Sequence, residues 1–210
     1  MKLDLLSSPL LTDLYQLTML QGYLDKGMTG EAVFEFFIRD LPRERGFLVA
    51  CGLETLLACL ESMRFREDEI DYLIGTGRFS GRLIDYLRGF RFSGDVYALP
   101  EGTVFFAREP VVRIVAPLPM AQFIETRLIN ILQYEILIAS KAARCFLAAG
   151  DRAILVDFGL RRAHGAEAGL LAARASYIAG FRGTSTVIAE PLLGIPGYGT
   201  MAHSFIQAHH

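Results

Sequence analysis

From Arg152 onward the chain changes rhythm, and this change constrains the fold more than any other feature. Residues 153–158 (AILVDF) form a continuous apolar run ending in an acid. A parallel strand covered on both faces needs such a run, because its side chains alternate between two buried surfaces. Helical character follows over 165–179, then a very short strand at 181–183. Thr184-Ser185 introduces a helix over about 186–193, Gly194-Ile195-Pro196-Gly197 makes a turn, and 198–202 reads as a third strand. Strand, helix, strand, helix, strand at this spacing predicts the opening units of a parallel α/β sheet or barrel.

The upstream pattern is mixed. Thr12 and Asp13 precede apolar residues at helical spacing, so a capped helix is expected to about residue 22. Residues 32–38 (AVFEFFI) alternate and read as a strand. Helices are predicted over 47–63 (despite Gly52), 67–73 and 80–88. Short β runs at 95–99, 104–107 and 111–116, separated by Pro100-Glu101-Gly102 and Glu109-Pro110, predict a small antiparallel region that Pro117 and Pro119 end. A long helix over 120–149, broken near Asn130, closes at Gly150-Asp151. The expected fold class is α/β: an N-terminal α+β domain over 1–120, then a bridging helix and the first strands of a β/α barrel over 121–210. A closed barrel takes ~250 residues in eight units. Three units are visible here, so a truncated chain is expected.

Charge and composition narrow the partners. The net charge is −2, which gives no footprint for nucleic acid or an anionic membrane. Residues 1–11 lack the features of a signal peptide. The most apolar region, 129–149, is interrupted by Glu135, Lys141 and Arg144 and reads as a buried helix. The three cysteines, Cys51, Cys59 and Cys145, form no CxxC and read as small buried hydrophobes of a reducing, cytoplasmic compartment.

Active sites of parallel α/β folds gather at the C-terminal strand ends. Three segments qualify. Asp157-Phe158-Gly159-Leu160-Arg161-Arg162-Ala163-His164-Gly165 places paired arginines after a strand and before a helix, a combination suited to carboxylate or phosphate. A solvated surface loop is the other reading. Gly183-Thr184-Ser185-Thr186 offers hydroxyls for a phosphate, or an ordinary helix cap. Gly199-Thr200-Met201-Ala202-His203-Ser204 puts a histidine where acid/base groups and nucleophiles sit, although a lone histidine also serves structure. The four histidines fit no zinc spacing, and no metal site is expected.

Taken in order, these segments resemble the nicotinate phosphoribosyltransferase family. The resemblance extends to Leu11-Thr12-Asp13-Leu14-Tyr15-Gln16-Leu17-Thr18-Met19, to Phe34-Glu35-Phe36-Phe37-Ile38-Arg39 with Leu41-Pro42, to Glu125-Thr126-Arg127-Leu128-Ile129-Asn130 and to Ala139-Ser140-Lys141-Ala142-Ala143-Arg144. It implies a barrel of the type II phosphoribosyltransferase kind. It also implies an ATP-dependent ligase or glycosyltransferase of NAD biosynthesis that forms nicotinate mononucleotide from nicotinate and phosphoribosyl pyrophosphate. By position, His203 is the residue ATP phosphorylates, and Thr200 and Ser204 flank it at the substrate. Arg161 and Arg162 line the site, and Tyr15 contacts the nicotinate ring from the neighbouring subunit of a homodimer. Thr184 and Ser185 are the weaker phosphate candidates, and Mg²⁺ is expected with phosphoribosyl pyrophosphate. The family often has Asn where this chain has Thr186. Further barrel strands of the family carry another nicotinate-binding Arg and most phosphoribosyl pyrophosphate ligands, so 210 residues alone are expected to show little activity. The alternatives are a nicotinamide or quinolinate relative and, of another class, an inactive dimerising or binding fragment.

Overall fold

In a computed structural model the chain is described over residues 8–209. Most of the N-terminal segment examined for a signal peptide, residues 1–7, and His210 lie outside the described residues. The chain divides into two compact units, Met1–Tyr134 and Glu135–His210. The division falls inside a long helix, where sequence analysis placed the change near residue 120.

The first unit is α+β. Its elements are α1 (Leu14–Asp25), β1 (Glu31–Phe36), β2 (Leu48–Val49), α2 (Leu53–Ser62), α3 (Glu67–Gly75), α4 (Gly81–Arg88), β3 (Asp95–Ala98), β4 (Val104–Phe105), β5 (Val112–Pro117) and α5 (Leu118–Phe123). A long helix, α6 (Glu125–Ala149), continues into the second unit. The antiparallel sheet has the order β1-β5-β3, with Phe34 and Val96 both opposite Ile114. α5 packs against β1, β5 and α1. Phe65, Phe90 and Phe123 form an aromatic cluster with ring centroids 5.2–6.1 Å apart, inside the 4.5–7 Å range that favours edge-on and tilted rings.

Two expectations change here. The helix predicted over 47–63 starts only at Leu53. Gly52 takes the left-handed conformation (φ 98°), and Leu48–Val49 pair instead with Val104–Phe105. Glu101 Oε1 accepts hydrogen bonds from the backbone N–H groups of Gly52 and Leu53 at 2.6 and 3.0 Å, capping α2 from a residue 48 positions away. The interruption between α5 and α6 lies at Ile124, not Asn130. Asn130 Oδ1 accepts from Arg127 Nη1 at 2.5 Å, so its side chain does not compete for the helix backbone.

The second unit is parallel α/β. After α6 and the 3₁₀ turn Gly150–Arg152 come β6 (Val156–Asp157), the 3₁₀ turn Leu160–Arg162, α7 (Ala166–Ile178), β7 (Gly183–Thr184), α8 (Ala189–Leu193) and α9 (His203–Gln207). β6 and β7 pair in parallel, and Thr184 forms a parallel bridge with Gly197. Flanking bonds lengthen this ladder: Arg182 N donates to Leu155 O, Ser185 N to Asp157 O, and Tyr198 N to Thr184 O, each at 2.8 Å. Successive strands of the chain are therefore spatial neighbours. α7 contacts both β6 and β7, and its Ala173 packs with Ala189, Ile195 and Leu170.

The third strand is displaced from its predicted place. Pairing occurs at Gly197–Tyr198, and 199–202 has no regular structure. Gly197-Tyr198-Gly199 supplies too little side-chain surface for a longer strand. The helix expected from Thr186 starts only at Ala189, because Thr184 Oγ1 first accepts from Thr186 N in a hydroxyl-closed turn.

Candidate active site

The ends of β6 and β7 are joined by one carboxylate. Asp157 Oδ2 accepts from Thr184 Oγ1 at 2.8 Å, and Asp157 Oδ1 accepts from Gly159 N at 2.9 Å. Thr184 is fully buried, and its oxygen accepts from Thr186 N at 3.1 Å while donating to Asp157. The acid that ends the apolar run thus ties two strand tips together and starts the turn carrying the arginines. Each of these bonds adds about 0.5–1.5 kcal/mol net, more where the acceptor is charged.

Arg161 and Arg162 lie in the 3₁₀ turn Leu160–Arg162, where Arg162 N donates to Gly159 O at 2.9 Å. Both side chains are exposed, and among the described residues neither pairs with a carboxylate. Two guanidinium forks free of internal partners suit a planar anion. Behind them α7 approaches closely: a Cβ on Gly169 would lie 2.4 Å from Leu160 Cδ1. The turn thus rests directly on helix backbone.

Thr200, His203 and Ser204 follow the bridged position Gly197, and all three are exposed. His203 is the first residue of α9, with Ala202 as its N-cap, where the sequence suggested the tip of a strand. Ser185 is half-buried just past β7. Arg161 and Arg162 thus follow β6, Thr184 and Ser185 lie at the end of β7, and Thr200, His203 and Ser204 follow the single parallel bridge at Gly197. Thr184 serves the internal tie to Asp157.

Tyr15 belongs to the first unit. It is the second residue of α1 and is 48% exposed. Beneath it is a polar network that no local pattern announces. Gln16 is fully buried, and its Nε2 donates to Tyr15 Oη at 3.1 Å, Glu125 Oε2 at 2.9 Å and Thr126 Oγ1 at 3.3 Å. Gln122 Nε2 donates to Gln16 Oε1 at 3.0 Å and to Glu125 Oε2 at 2.6 Å. Thr126 Oγ1 donates to Asp13 Oδ2 at 2.9 Å, so Asp13 sits at the N-cap position without capping α1. Two motifs about 110 positions apart are one hydrogen-bonded unit. Their only signal in the sequence is a pair of amides and an acid at helix starts, which does not say who pairs with whom.

Known proteins resemble this chain along most of its length. A family model described as the nicotinate phosphoribosyltransferase (NAPRTase) N-terminal domain matches residues 10–133. The nicotinate phosphoribosyltransferase of Mycobacterium tuberculosis is 50% identical over 199 residues, which is 95% of this chain and 43% of that protein. That of Bacillus subtilis is 44% identical over 94% of this chain and 40% of its own length. The crystal structure of human nicotinic acid phosphoribosyltransferase superposes with a TM-score of 0.86 at 38% identity, covering 94% of this chain and 40% of the human one. The chain thus spans about two-fifths of the length of these relatives. With a matched family model over most of the first unit and close relatives across both, this chain belongs to the nicotinate phosphoribosyltransferase family.

Proposed function

We propose that this chain supplies the nicotinate-recognising and phosphate-accepting part of an enzyme that makes nicotinate mononucleotide from nicotinate and phosphoribosyl pyrophosphate, with ATP as co-substrate. The observation carrying this reading is that β6, β7 and the segment bridged at Gly197 run side by side in parallel, and the residues after them include Arg161, Arg162, Ser185, Thr200, His203 and Ser204. We read the parallel unit as the opening of a β/α barrel, since chain-order neighbours are how a barrel is wound. The remainder of the proposal is a cytoplasmic homodimer with a shared site, to which the neighbouring subunit brings Tyr15.

In this scheme the pyridine nitrogen attacks the anomeric carbon, the C–O bond to pyrophosphate breaks, and pyrophosphate leaves. Arg161 and Arg162 hold the nicotinate carboxylate bidentately and aim the ring, work that a neutral amide could not draw from them. Thr200 and Ser204 supply hydroxyl donors beside the ring, and Ser185 supplies one to phosphate. Exposed groups at the strand ends are guanidinium, hydroxyl and imidazole, a set made for anions. The carboxylate there, Asp157, already accepts two hydrogen bonds. Mg²⁺ would come with phosphoribosyl pyrophosphate as part of that substrate and would offset the charge of its pyrophosphate. His203 takes a phosphoryl group from ATP on a ring nitrogen as ADP leaves, and the phosphorylated enzyme is the form that binds its substrates tightly.

The test is mass spectrometry of the full-length gene product after ATP, which should show an acid-labile phosphohistidine at His203. His203→Ala should abolish the label and remove ATP stimulation of turnover, about 5–150-fold if the coupling is of ordinary size. Unchanged ATP-stimulated turnover in that variant would refute the role.

A further inference from the structure

The network under Tyr15 has a polarity that one residue dictates. A carboxylate only accepts hydrogen bonds, and Glu125 Oε2 faces the side-chain nitrogens of both Gln16 and Gln122 at 2.9 and 2.6 Å. Both amides must therefore turn their NH₂ groups toward Glu125. Gln122 then spends its other hydrogen on Gln16 Oε1, which locks Gln16 from the opposite side. With Gln16 fully buried, its amide cannot turn over without burying an unsatisfied acceptor against the carboxylate. Of its two hydrogens, one goes to Glu125, and the other is left for Tyr15 Oη at 3.1 Å, the shorter of its two remaining contacts, with Thr126 Oγ1 at 3.3 Å.

We propose that Gln16 is a positioning residue for Tyr15: held in one orientation by Glu125 and Gln122, it makes the Tyr15 hydroxyl an acceptor on its inner side, so that the hydroxyl presents its own hydrogen outward as a donor to an anionic oxygen of the substrates. The inference rests on the proposed role of Tyr15 at the substrate. It adds that the phenol contributes a directed O–H as well as a ring face. A half-exposed tyrosine on the first turn of a helix would otherwise sample several rotamers. Here two glutamines and an acid, from α1, α5 and the start of α6, remove that freedom before any ligand arrives. The anionic oxygen belongs either to the nicotinate carboxylate or to a phosphate of phosphoribosyl pyrophosphate.

Two measurements test this. In the described chain labelled with [ζ-¹³C]tyrosine, the Tyr15 line is the one missing from Tyr15→Phe, and Gln16→Leu should move it. An unmoved line means that Gln16 does not govern the hydroxyl, and the proposal fails. In the full-length gene product, Tyr15→Phe should raise KM for one of the two substrates about tenfold, the worth of a hydrogen bond to a charged group, with the effect absent from kcat. The substrate affected identifies the oxygen. Gln16→Leu should give the same rise, and the double variant should be no worse than either single one, because both remove the same directed donor. Effects multiplying toward about a hundredfold, or unchanged KM for both substrates in Tyr15→Phe, would overturn the proposal. If Gln16→Leu does not fold, Glu125→Gln replaces it, since it keeps the volume but releases the amide orientation, and it should reproduce the KM rise. A gene product that does not turn over nicotinate, or whose Tyr15→Ala variant binds both substrates normally, refutes the functional reading instead and leaves the labelled-tyrosine result to decide the polarity.

Discussion

Gly183→Ala should lower the thermal midpoint by roughly 10 °C. A Cβ built at Gly183 lies 2.2 Å from the carbonyl oxygen of Pro196 and 2.7 Å from two ring carbons of Tyr198. The ring can move, but the carbonyl belongs to the neighbouring parallel segment and accepts the ladder bond from Thr184 N at 3.1 Å. Accommodating a methyl group therefore means separating the two segments. The loss combines overpacking, about 1–3 kcal/mol, with one or two weakened ladder bonds at about 0.5–1.5 kcal/mol each. A total near 3–4 kcal/mol corresponds to roughly 2–4 °C per kcal/mol in a chain of this size. Gly199→Ala is the matched control. Its Cβ meets nothing within 4 Å, and its effect should stay within about 0.5 kcal/mol. A Gly183→Ala protein melting within 2 °C or so of the parent, on the same scale, would show that the strands are not in close approach. Because Thr184 and Tyr198 flank the clash, the same substitution should also loosen the tie to Asp157 and lower any turnover.

That glycine also shows where sequence reading stops. Gly183 looks like an ordinary turn residue beside Thr184 and Ser185, and only the position of Pro196 across the ladder gives it a steric reason. Helix starts were legible where the signal is local. Ser80 accepts from Leu83 N at 3.3 Å, and the acids Glu67, Asp68 and Glu69 occupy the first turn of α3. Strand lengths were not legible. Apolar runs such as 153–158 show burial tendency, whereas pairing depends on what the neighbouring segment offers, and here that is Gly183–Thr184 with one flanking bond on each side. The start of α2 was misplaced because Gly52 is merely a poor helix former on paper, while the folded chain uses its left-handed φ and the distant Glu101. Among the candidate site residues, Arg161 and Arg162 lie just after β6, where residue order predicts them, and His203 lies on a short helix instead of at a strand tip. The Asp157–Thr184 tie and the Gln16–Gln122–Glu125 network were invisible as pairs, since hydrogen bonds across 27 and 106 positions leave no periodic trace.

The second large effect concerns what holds α7, and with it the arginine turn. Arg174 on α7 places Nη1 3.0 Å from Glu135 Oε2 on α6, with side-chain exposures of 9% and 0%. Sequence periodicity alone would have left Arg174 as a polar interruption in an alanine-rich helix. Removing one partner of a buried pair typically costs 3–5 kcal/mol, because the surviving charge stays out of water and loses this ion pair. Arg174→Met should therefore destabilise the protein by about that amount, a large share of the 5–15 kcal/mol that holds a typical domain folded. Replacing both partners, Glu135→Leu with Arg174→Met, removes the stranded charge and should recover most of the loss. The comparison is made by denaturant midpoints of the parent, both single variants and the double variant. A double variant as unstable as Arg174→Met would assign the loss to packing of the arginine stem rather than to charge. A cost below about 1 kcal/mol in the single variant would mean that the pair behaves as a surface bridge. The consequence for the site follows from the chain: α7 backs the turn through Gly169 against Leu160, so a helix no longer tethered to α6 lets Arg161 and Arg162 drift. Among the stability variants, Arg174→Met should thus weaken nicotinate binding more than its distance from the guanidinium turn along the helix suggests, and the double variant should restore binding along with the midpoint.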